Sequence, residues 1–235
     1  MRVAAIQSCY LPWRGFFDFI ASVDLFVVYD DIPYSKGSWR NRNQVKTAQG
    51  LKWITVPVGT PHLDQPIDEV AISEAPGRDW RESHRGLLKA SLSHCPHYGD
   101  AMALWEAGIT GATHLSALNV QLLKGICAYL GIATPLMSSR EYALTGRKTE
   151  RLLHLMARTG ATTYVSGPAA KDYLDPEAFR VAGLRLEYKA YRYAPYPQPW
   201  GPFEGAVTVL DLIANLGPEA GHHLASATPN EVAVP

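Results

Sequence analysis

Short apolar runs separated by polar turns organise residues 1–58. Their spacing predicts a strand (2–7), a helix (14–22), a second strand (25–30), a cationic loop and a third strand (52–58). An apolar run, a turn containing Pro12 and Gly15, an amphipathic stretch and another apolar run together make a βαβ unit. Residues 59–77 contain Gly59, Pro61, Pro66, Pro76 and Gly77 and read as a loop with a short strand near 68–72. From residue 80 to 130 the period becomes helical. Trp80, His84, Leu87 and Leu88 share one side of a first helix, while Leu115, Leu118, Leu122, Ile126 and Leu130 mark a longer one ended by Gly131. Alternation then returns: a helix over 148–159 closed by Gly160, strands at 162–166 and 184–188, and a helix over 207–216 stopped by Gly217-Pro218. The small, polar, aperiodic residues that follow predict a flexible tail, 218–235. The pattern is α/β, one domain over residues 1–217 with a helical insertion at about 78–131.

Composition narrows the class. The 235 residues, 47% hydrophobic and 19% charged, suit a globular chain with a full core. No apolar run approaches the roughly 20 residues that span a bilayer, and the first residues lack a signal peptide's long apolar stretch. Cys9, Cys95 and Cys127 show no CxxC spacing, which argues against a disulfide framework or a zinc knuckle. A cytoplasmic protein without membrane contact is expected. The 22 basic and 22 acidic residues cancel, which is unlike a general nucleic-acid binder.

Charge is nevertheless concentrated. Residues 34–46 carry Lys36, Arg40, Arg42 and Lys46, with Trp39, Asn41 and Asn43 among them and no acid. Guanidinium forks and ammonium groups on a loop held between strands suit a phosphate, a pyrophosphate or a carboxylate, although a solvated loop would look similar. The turn from Gln7 through Tyr10, Trp13 and Arg14 to Phe17 follows a strand and opens a helix. Ligands of open α/β sheets bind in such places, and helix-start N–H groups favour anions. Trp13, Phe16 and Phe17 are equally consistent with core packing.

The stretch from residue 6 to 58 carries Q-x-x-YLPW-x-G-FF, YDD, YSK, W-R-NRN and W-x-TVPV, and it resembles the WbqC-like family. Later blocks agree in order: Tyr164-Val165-Ser166-Gly167, then Lys171 to Asp175, then Gln198, Phe203 and Val209-Leu210-Asp211-Leu212 with Asn215 and Gly217. The resemblance spans about 1–217. Ser8 stands where the family usually has proline, and Ile32-Pro33 replaces a valine–glutamine pair. The resemblance implies association with bacterial O-antigen and related gene clusters, and a glycine-transferase role has been suggested within the family. A weaker likeness, strand, Pro-x-x-Gly turn and helix followed by Asp24-x-Phe26-Val27-Val28, is to the HxGH nucleotidylyltransferases. It implies a Rossmann-like (nucleotidylyltransferase-like) parallel sheet. The turn here contains no histidine, so adenylyl transfer is not implied with it.

Asp30 and Asp31 end the second strand beside the proposed crevice. Together they could share a proton, bind an amine or hold a metal, or simply pair with neighbouring cations. His84 is a candidate acid or base, although a hydrogen-bonded core histidine is the more common case. Ser166, Gly167 and Lys171, after a later strand, are placed to close the crevice, and Asp175 to cap the turn beginning at Pro176. His94 and His97 flank Cys95-Pro96, yet no second Cys/His pair has zinc spacing, and no metal site is expected. Cys9 could form a thioester or serve as a small buried hydrophobe. The expected function is transfer or condensation of a small aminoacyl or acyl unit onto an amine or sugar acceptor by a surface-polysaccharide or secondary-metabolite tailoring enzyme. Its donor would bear phosphate or carboxylate and could be a charged tRNA; no cofactor is specified. The alternative is a nucleotide- or sugar-binding module without chemistry of its own.

Overall fold

The computed structural model describes residues 1–235 except 60, 63, 75, 76 and 78, so Pro76 of the expected loop lies outside the described residues. Among the described residues, six strands form one sheet: β1 (Arg2–Ile6), β2 (Leu25–Val28), β5 (Leu136–Ser138), β6 (Thr163–Ser166), β7 (Arg185–Tyr188) and β8 (Glu231–Val234). Their order is β5-β2-β1-β6-β7-β8; every neighbouring pair is parallel except β7–β8.

Buried on both faces, β1 and β2 are continuous apolar runs, as central parallel strands must be. Strand alternation divides their side chains between two cores. Ala4, Phe26, Val28 and Val165 face α1 (Arg14–Ala21), α2 (Trp80–Leu92), α3 (Tyr98–Gly108), α4 (Leu115–Tyr129) and α7 (Val209–Leu216). Val3, Ala5, Val27, Tyr164 and Leu186 face α5 (Lys148–Thr159) and α6 (Pro176–Val181). The molecule is thus a mostly parallel sheet with helices on both faces.

Between β2 and β5 the chain inserts a hairpin and the helices α2, α3 and α4. The hairpin pairs β3 (Arg42–Thr47) with β4 (Gly50–Thr55) as a separate antiparallel sheet. Residues 42–46 of the segment read as a cationic loop are therefore strand. Its inward residues, Asn43 and Val45, alternate with Arg42, Gln44 and Lys46, and with Val45 the lone apolar residue of the strand the period is hidden. The short strand expected near 68–72 is instead a 3-10 turn, Ile67–Glu69, followed by isolated bridges from Ala71 and Ile72. The tail also departs from expectation. Residues 217–223 form a 3-10 segment, and β8 closes the sheet against β7. Among the described residues no helix is long and apolar enough to cross a membrane.

Candidate functional site

From β1 the chain moves through β2 to β5 in one direction, and from β6 through β7 to β8 in the other. The carboxyl ends of β1 and β6 therefore flank the point where strand order reverses, the place where open α/β sheets form a crevice. Gln7 and Ser8 leave β1 there, and Gly167 follows β6.

The turn from β1 into α1 is held in an uncommon shape. Leu11 has a left-handed backbone, φ 45°, which a leucine adopts only when its surroundings enforce it. The enforcing bonds come from distant segments. Tyr10 N–H donates to the Trp39 carbonyl at 3.1 Å, the Asn43 side-chain amide donates to the Leu11 carbonyl at 2.6 Å, and Val209 N–H donates to the Pro12 carbonyl at 2.9 Å. Gly15 is required for a different reason. The Trp13 ring folds over it so closely that a Cβ would sit 2.4 Å from the indole. Trp13 is then fixed edge-on to Tyr191 and Tyr193, with centroids 5.2 and 5.7 Å away.

This geometry leaves a cavity of about 260 Å³. Cys9, Pro12, Trp13 and Phe16 line it from the turn, Trp39 and Asn43 from the cationic segment, and Ala206 from the segment before α7. The walls are largely apolar, with the Asn43 amide and the Cys9 thiol as polar exceptions. Burial pushes the Cys9 thiol up to about 11, with Arg40 acting weakly the other way, so the sulfur is a neutral thiol at neutral pH.

Several expected site residues meet in this region. Arg40, half-buried, donates from Nη1 to the Gln7 carbonyl at 2.9 Å and is tied to the end of β1. Asn119 holds the same corner, donating to the Arg40 carbonyl at 2.9 Å and to Ser8 Oγ at 3.0 Å. Arg42 lies 4.3 Å from the centre of the Trp53 ring, and Trp53 in turn contacts Trp39. Lys36 is exposed close by in sequence. No acid occurs in the sequence between Asp31 and Asp64, although Arg40 lies near enough to the buried Asp30 to favour its ionised form.

Other candidates are engaged within the fold. Asp30 and Asp31 do not form a pair. Asp30, 3% exposed, accepts the Ser8 N–H at 2.8 Å and the Ser116 hydroxyl, whereas Asp31 accepts the Ser139 hydroxyl at 2.6 Å and pairs with Arg151 of α5. Burial raises the Asp30 carboxyl above its ordinary value, opposed by its bonds to Ser116 and Ser8. Tyr10 and His84 are buried rather than lining the cavity. His84 Nε2–H donates to the Thr55 carbonyl at 3.2 Å, so Nδ1 is the acceptor for the Tyr10 hydroxyl at 2.9 Å. Trp105 Nε1–H donates to that hydroxyl at 3.0 Å. Burial lowers His84 to about 4, leaving a neutral imidazole.

The remaining cations and amides are similarly placed. Lys46 directs its ammonium to Gln198 Oε1 and to the Gly201 and Pro202 carbonyls, at 2.8, 3.2 and 2.6 Å, and Gln198 in turn donates to Asp211 at 2.7 Å. Asn41 donates to the Val56 carbonyl across the hairpin base. Arg14 is 4% exposed, donates to the Ala194 carbonyl at 2.8 Å and lies over the rings of Tyr193, Tyr196 and Phe203. Burial lowers its pKa. Ser166 is buried at the end of β6 and Gly167 borders open space, but Lys171 turns away to Glu231 of β8. Asp175 caps α6 as expected, accepting the Glu177 N–H at 3.0 Å.

Trp53, Ala206, Tyr191 and Tyr193 are placed at the site by the fold but were not among the expected site residues. Trp53 opens the W-x-TVPV block and Tyr191 and Tyr193 carry an aromatic spacing; Ala206 had no signal. Among the described residues no cluster of three His, Cys, Asp or Glu side chains is placed to hold a metal ion.

Comparison with known proteins fits this molecule into a family. The model of the WbqC-like protein family matches residues 7–223. An uncharacterized protein of Mycobacterium tuberculosis, Rv1507c, is 46% identical over 228 residues, covering 95% of this chain and 97% of its own. No solved structure matches. The chain belongs to the WbqC-like protein family.

Proposed function

We propose that this WbqC-like protein binds a small activated donor at the carboxyl end of β1. It transfers the donor's acyl or aminoacyl unit to an amine, as a tailoring enzyme of bacterial surface-polysaccharide or secondary-metabolite biosynthesis. The reading rests on one observation above all: an apolar cavity beside the turn that leaves β1, with Trp39 in its wall and Arg42 and Lys36 on the segment that supplies it. The strand order matches that of doubly wound, Rossmann-like sheets, whose ligands commonly carry phosphate.

In this reading the acyl group occupies the cavity and the donor's phosphate or carboxylate lies toward Arg42 and Lys36. The acceptor nitrogen attacks the acyl carbonyl; a C–N bond forms, the bond to the donor's leaving group breaks, and the amine proton passes to that leaving group or to solvent. Asp30, Asp31 and His84 are bonded inside the fold, so the protein contributes orientation and exclusion of water, with no dedicated base. The same engagement favours the alternative, a binding module that presents its ligand to another enzyme.

A thermal-shift screen against nucleotides, nucleotide sugars, acyl-CoA and aminoacyl-adenylate analogues tests the site. Ala206 is exposed and lines the cavity, so Ala206→Phe fills it with little effect on the core. One donor class is expected to raise the melting temperature of the wild type and not of A206F. A shift that persists in A206F, or none from any class, overturns the assignment. Turnover with an amine acceptor then separates enzyme from module.

A further inference from the structure

The outer face of the β3–β4 hairpin has a feature the cavity does not explain. Cross-strand register puts Arg42, Gln44, Lys46, Leu51, Trp53 and Thr55 on one face, with Asn43, Val45 and Ile54 facing the core. The residue 198–202 segment covers the Lys46 end of that face through the Lys46 ammonium. The other end is open. There Trp39 and Trp53, 46% and 43% exposed, meet with ring centroids 5.3 Å apart and a tilt of 37°. Arg42 stacks on Trp53 at 4.3 Å, and its Nε–H, shielded from solvent, has no acceptor. Among the described residues, Lys36, Arg40, Arg42 and Lys52 form no ion pair with a carboxylate. Two large indoles side by side in water, with Arg42 stacked on one of them and no acid from residue 32 to 63, mark this face as a binding surface.

We infer that this face binds unpaired nucleotides of a single-stranded RNA end. Bases stack on Trp53 and Trp39, and Arg42 and Lys36 contact the phosphates. Aromatic faces interleaved with cations, with few groups arranged for base-edge recognition, are the chemistry of sequence-tolerant single-strand binding. The location adds a second argument. Trp39 both contacts Trp53 and lines the cavity, so the platform continues into the cavity mouth. A strand lying on it delivers its terminal nucleotide, with any acyl group attached, to the wall formed by Cys9 and Trp13. The inference rests on the cavity reading for the acyl group that the RNA carries, and on the hairpin face for contact with the RNA. The chain's zero net charge makes this a local patch, suited to a short strand end rather than long nucleic acid.

The test is a fluorescence-anisotropy titration of a labelled single-stranded RNA of about eight nucleotides, a length within the usual single-strand site sizes. Intrinsic tryptophan emission is recorded in parallel, with the blunt duplex and inorganic polyphosphate as competitors. Single-stranded RNA is expected to bind and quench tryptophan, and to compete better than either control. Its log K is expected to fall with log[salt] at a slope of about −1.4, as for two phosphate contacts. Trp53→Ala is expected to weaken binding about tenfold or more, consistent with the loss of one stacked base. Trp53→Phe retains most of the affinity, and Arg42→Gln lowers the salt slope. If Trp53→Ala does not fold, Trp53→Phe and Arg42→Gln still decide the matter.

Equal competition by polyphosphate without quenching reduces the face to general charge and overturns the inference. So does wild-type affinity in Trp53→Ala. A wild-type dimer that Trp53→Ala converts to monomer overturns it as well, because the indoles then serve contact between copies. If RNA binding fails while a small donor still shifts the wild type and not A206F, the cavity reading stands and only the RNA platform falls.

Discussion

Buried titratable groups that resemble catalysts in sequence become, in the fold, determinants of pH-dependent stability. His84 is neutral when folded, near 4, against an ordinary 6.5 when unfolded. In that interval the unfolded chain binds more protons, so the contribution of His84 is complete above pH 6.5 and is lost as pH falls toward 4. The loss is on the order of 3 kcal/mol by the usual conversion. Melting temperatures from pH 7 to 4 should show this fall in the wild type and a flatter profile in His84→Gln; parallel profiles would refute the assignment. Asp30 has the opposite sign. Its carboxyl is raised by burial, so ionisation above pH 4 costs stability in the folded state. Asparagine keeps an acceptor for the Ser8 N–H and can donate to Ser116. Asp30→Asn should therefore melt at or above the wild-type temperature at pH 7. A catalytic base at this position would cost 10²- to 10⁴-fold in turnover on removal. The bonded geometry leads us to expect much less, and a loss of that size in a folded D30N protein would restore Asp30 to the reaction.

At the scale of elements, the decisive contact is Trp13 against Gly15 at the start of α1. Gly15→Ala places a Cβ 2.4 Å from the indole, within a turn already strained at Leu11. The ring must leave its position against Tyr191 and Tyr193, which removes one wall of the cavity. Forcing a methyl group into a packed site costs about 1–3 kcal/mol. G15A should melt lower and lose the donor-induced shift together, while a destabilised protein with intact ligand response would uncouple the turn from the site. Pro12 and Gly15 drew attention to this turn from sequence because those residues punctuate chains. The period also revealed the α5 helix over Lys148–Thr159, where four buried residues recur at helical spacing and Gly160 ends the run. It could not reveal β3, where Val45 is the lone apolar residue and the inward Asn43 is held by contacts 32 residues away. Nor could it separate Asp30 from Asp31. Both lie beyond the end of β2, and which of them met Ser116 and which Arg151 was decided by helices far along the chain.

At the scale of the molecule, the strand that closes the sheet comes from the segment least legible in sequence. Residues 224–230 are small and polar with no period, yet β8 pairs antiparallel with β7 and buries Val234 in the second core. Only tertiary context can specify it, because β7 offers an otherwise unpaired edge. The same edge anchors Glu187, pulled down to about 2 chiefly by its hydrogen bonds with Arg2, with Asn230 adding another. Removing residues 231–235 would strip the ladder from β7, expose the Val234 pocket and free Lys171 from Glu231. The expected loss is roughly 2–4 kcal/mol from backbone pairing and apolar burial, a fall in melting temperature on the order of 5–10 °C. Hydrogen exchange should quicken at Arg185–Tyr188 while β1 and β2, central and covered on both faces, keep their protection. Because the cavity is formed by the β1 turn, the hairpin and Ala206, the truncated protein should still respond to the donor that shifts the full chain. Loss of that response with β1 still protected would mean that the sheet edge supports the site through β6, and that the crevice at the strand-order reversal extends across to Gly167.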